Sequence, residues 1–98
     1  MRAMNTVTRR VIYWLDHHHY SAKHWQEIAD DCLEKNKGNL SQAIHDLAES
    51  LKGFHCQFRD AVVKSDNVLY EFISLAFTEV NWFAVAASRY PQAQWQEL

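Results

Sequence analysis

An all-α single domain, a compact bundle of about five to six short helices, is the fold this chain predicts, on three observations. Apolar residues recur at three- and four-residue steps through most of the sequence, the period of a helix turning about 100° per residue. Only two glycines and one proline occur in 98 residues, so few positions suit tight turns. Asn, Ser or Thr stands just ahead of several apolar stretches, where a side-chain oxygen can accept an unpaired first-turn amide. The 48% apolar content is enough for one core, and residues 1–98 read as one domain with 1–4 and 92–98 frayed.

The first helix is predicted from about Thr6 to Asp16, capped by Asn5 or Thr6, with Val7, Val11, Trp14 and Leu15 on one stripe. Arg9 and Arg10 sit near its positive end, a mildly unfavourable place that either solvent or a contact explains. Asp16 to Tyr20 then reads as a polar connection, with Ser21 capping a second helix from Ala22 to about Lys37. Trp25, Ile28, Ala29, Cys32 and Leu33 form its apolar stripe. Glu27, Asp30, Asp31 and Glu34 centre on the opposite side, either a solvated face or an acidic patch that docks on a basic surface. Gly38 closes this helix as a left-handed residue.

A third helix starts at Asn39 or Ser41, with Asn39 and Gln42 spaced as in a capping box. Its stripe is Leu40, Ile44, Leu47, Ala48 and Leu51. Gly53 should end or bend it, leaving Phe54, Phe58, Ala61 and Val62 on a shorter helix or a continuation. Lys64 to Asn67 is a capped turn. The run from Val68 to Tyr90 follows, with sixteen of its twenty-three residues apolar or aromatic. Leu69, Phe72, Ile73, Ala76 and Val80 share one face there and are expected to centre the core. Asn81 is placed to cap a separate last helix, and Pro91 stops it. In the segment after Pro91, Trp95 is the only large anchor.

Composition and motifs exclude several function classes. Ten basic and twelve acidic residues give a net charge of −2, which lacks the excess that phosphate backbones attract. The second and third helices superficially suit a helix-turn-helix. The third, however, offers Ser41, Gln42, His45, Asp46, Glu49 and Lys52, a surface too acidic for base reading. Glu71, Glu79, Asn81 and Arg89 interrupt the long apolar run and argue against a membrane span. The first ten residues lack the apolar stretch of a signal peptide, so a cytoplasmic protein with reduced Cys32 and Cys56 is expected. His17, His18 and His19 cannot converge on one metal because neighbours in sequence point apart. His24, Cys32, His45, His55 and Cys56 fall at none of the usual ligand spacings, so no metal and no cofactor is expected. With no catalytic motif, and with carboxylates on solvent faces, the chain does not read as an enzyme.

One stretch carries a resemblance. Leu69, Glu71, Phe72, Ile73, Ala76 and Phe77, then Glu79-Val80-Asn81-Trp82 and Val85-Ala86, are similar to a family of small uncharacterised proteins of phages, plasmids and integrated elements of bacteria. Val11 to Asp16 and Ala43 to Leu51 extend it loosely. Members have polar residues after the tryptophan, whereas Phe83 and Ala84 stand here, adding an apolar surface that is either buried or partner-facing. The resemblance implies a bacterial, mobile-element setting and transfers no catalytic or binding residue.

By elimination and by that setting, the chain reads as a non-enzymatic protein-binding module. The specific form expected is a stoichiometric inhibitor of a host defence complex, anti-CRISPR or otherwise anti-defence. Thirteen aromatic residues exceed what a core of this size should need. Tyr13, Tyr20, Tyr70, Trp82, Phe83, Tyr90 and Trp95 are the candidate anchors. The expected contact is either the acidic face (Glu27, Asp30, Asp31, Glu34) or the aromatic C-terminal segment (Trp82, Phe83, Trp95). The alternative is a small homodimeric regulatory protein, pairing through Phe83 and Trp95, or a DNA-binding one.

Overall fold

The computed structural model describes residues 5–91, which form five helices: α1 (Thr6–His17), α2 (His19–Lys35), α3 (Leu40–Val62), α4 (Val68–Glu79) and α5 (Trp82–Ala87). Four of the five begin with an asparagine cap. The side-chain oxygens of Asn5, Asn39, Asn67 and Asn81 accept from the amides of Thr8, Gln42, Leu69 and Ala84 at 2.8, 3.2, 2.8 and 3.1 Å. Each satisfies a first-turn donor that the helix itself leaves unpaired. Only half of the expected capping box forms, because the Gln42 amide turns forward to Asp46 at 2.9 Å rather than back to the cap.

The structure corrects one predicted boundary and decides another. The histidine run is a corner between α1 and α2 rather than a loop, with His18 extended (φ −95°, ψ 103°) between two helices. Ser21 lies inside α2, which starts at His19 without a side-chain cap. The second concerns Gly53, where α3 does not end but runs on as the continuation, the second of the two alternatives. The glycine keeps negative φ in mid-helix, and 23 residues run unbroken for roughly 35 Å. The α2 terminus is different: Lys37 (φ 54°) and Gly38 (φ 83°) both enter the left-handed region. There the Gly38 amide donates to the Leu33 carbonyl at 3.0 Å, a Schellman closure.

The first half of α3 is the axis of the core. Ala43, Ile44, Leu47, Ala48 and Leu51 are buried against Leu15 of α1, Trp25 and Ala29 of α2, and Trp82, Val85 and Ala86 of α5, with Val80 and Tyr90 closing the cluster. The expectation that the Leu69–Val80 face centres the core is therefore overturned. Val80 is buried, but Leu69 is 56% and Phe72 61% exposed, and α4 has no buried residue. Trp14 likewise leaves its predicted stripe for solvent. The short α5 takes the central place because Asn81 turns the chain back onto α3. The Asn81 amide donates to the hydroxyl of fully buried Thr8 at 2.8 Å, and Asn5 Nδ2 donates to the Glu79 carbonyl at 2.6 Å.

The residues after α5 lock onto the far side of the bundle. Tyr90, 2% exposed, donates its hydroxyl to the Ala29 carbonyl at 2.6 Å. Burial pushes that phenol up to about 12. Arg89 is buried and pairs with Asp16 at the end of α1, while its Nε has no partner and its charged form is disfavoured by desolvation. Between α2 and α3, Asn36 Nδ2 donates to Asp46 at 3.0 Å and holds that carboxyl below the ordinary aspartate range.

Candidate functional site

The second half of α3 and α4 form an antiparallel hairpin beside this core, with Phe77 of α4 packed against it, in a molecule 42 Å by 28 Å by 24 Å. The stripe that buries Ile44, Leu47 and Leu51 continues along α3 at the same spacing into Phe54, Phe58 and Val62. Trp25 meets Phe54 edge-on at 5.5 Å between ring centroids, and there the cover from α2 ends. Phe58 and Val62 stand beyond it, 59% and 60% exposed.

A polar clasp sets how α4 lies on α3. Arg59 donates from Nη1 to Ser74 at 3.1 Å and from Nε to Asp60 at 3.0 Å. Its guanidinium stacks 4.6 Å over the Tyr70 ring, and Tyr70 donates its hydroxyl to the same Asp60 oxygen at 2.8 Å. The Tyr70 hydroxyl, with Arg59 second, keeps the Asp60 carboxyl below its usual range. Tyr70, Ser74 and Phe77 therefore face α3. Val68, Leu69, Phe72 and Leu75 then fall about half a turn away and point outward, each more than half exposed.

Together Phe54, Phe58, Val62, Val68, Leu69, Phe72 and Leu75 leave about 700 Å² of apolar side chain in contact with water, taking roughly 150–200 Å² for each side chain fully exposed. Spread over both helices, that total exceeds the roughly 300–600 Å² of the largest apolar patch on an ordinary monomer. This surface is the clearest candidate for function. Sequence reasoning placed part of it in the core, because helical periodicity reports that a face is apolar without reporting what covers it.

The predicted contact residues disperse. Glu27, Asp30, Asp31 and Glu34 are all exposed along α2, as their spacing requires, but Asp31 is paired with Lys35 at 2.9 Å and Asp30 accepts from Gln26 at 3.1 Å. Trp82 is corrected to a core residue, 8% exposed, stacked on His55 at 5.3 Å and edge-on to Phe77 at 5.8 Å. Its burial removes it from any surface contact. Phe83, a quarter-turn round the short α5 from Trp82, is half-exposed and isolated from the hairpin residues in sequence. Trp95 lies outside the described residues. Among the other candidate anchors, Tyr13 and Tyr20 are exposed, Tyr70 belongs to the clasp and Tyr90 is buried.

Four histidines, His17, His18, His24 and His55, stack on aromatic rings. Tyr13 lies on His17, Trp14 on His18 and Tyr20 on His24 at 3.9, 4.6 and 6.2 Å, each pair four residues apart. His55 fills the space between Trp25 and Trp82, and its Nδ1 is 2.6 Å from the Leu51 carbonyl, so that nitrogen carries the proton. Among the described residues no three His, Cys, Asp or Glu side chains converge on a metal-sized site, both cysteines are free thiols, and no helix is long and apolar enough to cross a membrane. No family model, curated protein or solved structure matches the chain.

Proposed function

We propose that this protein acts by binding another protein surface rather than by catalysis, and that the α3–α4 hairpin is its contact. The observation that carries the reading is the set of seven large apolar side chains exposed on two adjacent helices whose relative rotation the Arg59 clasp fixes. Leaving such a surface wet is costly: burying the roughly 100 Å² that each of these side chains exposes is worth up to about 2.5 kcal/mol at roughly 25 cal/mol/Å². Rigid aromatic and aliphatic anchors on a preformed helix pair lose little conformational entropy on docking, which suits them to act as interface anchors. The specific form implied by the mobile-element resemblance is stoichiometric inhibition of a bacterial host defence complex, with the hairpin seated in a groove of that complex.

The acidic face of α2 supports a second reading, because Glu27, Asp30 and Glu34 present carboxylates to solvent with no ion-pair partner among the described residues. Two variants separate the readings in a tagged capture from bacterial lysate. Phe72→Asp with Leu75→Asp should abolish recovery of the host complex while leaving far-UV circular dichroism unchanged. Joint reversal of Glu27, Asp31 and Glu34 to Lys should leave recovery intact. The opposite pattern would move the contact to α2.

A further inference from the structure

We infer that the outer face of α1 is a binding surface for single-stranded nucleic acid, a second contact independent of the α3–α4 hairpin. At about 100° per residue, Arg9, Arg10, Tyr13, Trp14 and His17 fall within about 70° of the direction opposite fully buried Thr8 and Leu15, and all five are exposed. They stand in two columns at four-residue steps, Arg9–Tyr13–His17 and Arg10–Trp14–His18, each an arginine, then a large ring, then an imidazole. Tyr13 is 56% and Trp14 53% exposed, and each lies flat on the imidazole one turn on, at 3.9 and 4.6 Å between centroids with planes 18° and 16° apart. His17 is held in place in turn, with Nδ1 2.8 Å from the Tyr13 carbonyl. Such a pair leaves its outer ring faces free, and an unpaired base of any kind can extend the stack. With the rings already ordered, docking costs little further side-chain entropy.

The net charge of −2 conceals a division along the chain. Eleven of the twelve acidic residues come after Gln26, and the twelfth, Asp16, is paired with buried Arg89. Arg9 and Arg10 have no ion-pair partner among the described residues, and no acidic residue stands in the first turn of α1. Glu79 lies beside the start of α1, where its carbonyl accepts from Asn5, but its carboxylate pairs with neither arginine. On α2 the acidic face begins only at Glu27, one turn past Lys23. The outer face of α1 is therefore locally cationic, and guanidinium groups take phosphate oxygens in a two-pronged grip that no change of pH near neutrality removes.

The kind of apolar matter on this face separates a nucleic acid from other anionic partners. Among the described residues up to Gln26 the large apolar side chains left exposed are all rings, whereas the hairpin also exposes Val62, Val68, Leu69 and Leu75. Val7, Val11 and Ile12 of α1 pack against the core instead. A protein groove or a lipid surface takes up aliphatic side chains together with aromatic ones, while a strand of unpaired bases calls for flat rings beside cations.

The test is fluorescence anisotropy of a labelled, mixed-sequence single strand of about 16 nucleotides, titrated with the purified chain between about 50 and 200 mM salt. The logarithm of the affinity should fall with the logarithm of salt at a slope of about −1.4, roughly 0.7 for each arginine. Arg9→Gln with Arg10→Gln should weaken binding and flatten that slope toward zero. Tyr13→Ala with Trp14→Ala should weaken it at least about fivefold and leave the slope unchanged, while Tyr13→Phe with Trp14→Phe keeps it, a pattern that loss of folding cannot imitate. Phe72→Asp with Leu75→Asp should leave strand affinity as it is, so the α1 surface and the hairpin stand or fall separately. A wild type that fails to bind the strand at about 50 mM salt would overturn the inference. So would equal affinity for a duplex of the same length, whose bases cannot reach the rings, or for polyglutamate or anionic phospholipid vesicles, either of which would reduce α1 to a general anion surface.

Discussion

Replacing Gly53 with alanine should stabilise this protein, which is the reverse of what its position after an apolar stripe suggests. The residue lies in the interior of α3 with helical, negative φ, and a Cβ added there meets nothing within 4 Å. Alanine therefore brings no clash and no strain, and it removes the extra backbone freedom that glycine gives the unfolded chain. The gain should be about 0.5–1 kcal/mol, which for a domain near 100 residues raises the melting temperature by roughly 3–6 °C. Urea unfolding followed by circular dichroism at 222 nm gives the free energy, with thermal melts alongside. Gly38→Ala is the control. It is also free of Cβ contacts, but at φ 83° the new side chain enters the left-handed region and should cost about 1 kcal/mol. If Gly53→Ala destabilised the protein, or matched Gly38→Ala, the backbone at Gly53 would have to be a helix end or a kink, and the unbroken α3 would be refuted.

Tyr90→Phe should cost about 1–2 kcal/mol, measured by urea unfolding at neutral pH, because the Ala29 carbonyl loses its buried donor. The same phenol fixes a pH dependence. Its folded value, near 12, is raised above the unfolded value of about 10. The stabilisation is therefore complete below about pH 10 and is lost as pH rises toward 12, at most about 3 kcal/mol in all. Tyr90→Phe should flatten that alkaline decline, and an unchanged profile would remove Tyr90 as its source. Asp16→Ala leaves the Arg89 guanidinium buried without its carboxylate. Since Asp16 itself is 44% exposed, the cost should be discounted to about 2 kcal/mol. Asp16→Ala combined with Arg89→Met should recover part of it in the same denaturation assay.

The α2 stripe, the asparagine caps and the break at Asn81 were legible in the sequence because each depends on neighbours within one or two turns. Trp25 and Ala29 fall on the buried side of α2 as their spacing requires, and Glu27, Asp30, Asp31 and Glu34 fall outside. The candidate surface was not legible in the same way. Phe58 and Leu69 satisfy the same periodic pattern as Leu47 and Leu51, yet the first pair is exposed and the second fully buried. Nothing local distinguishes them. The signal available was an excess of large apolar residues over what one small core needs, and it pointed to Trp82, which packs inside.

The sequence alone determined that this chain is helical and where most of its helices begin. Those properties come from hydrogen bonds and periodicities a few residues long. Only the tertiary structure decided which apolar faces are covered. That outcome depends on Asn81 and Thr8 turning α5 onto α3 across 73 residues, and on Arg59 fixing the rotation of α4. With the centre of α3 already filled by α5, the apolar side of α4 has no place in the core, and it is left facing outward.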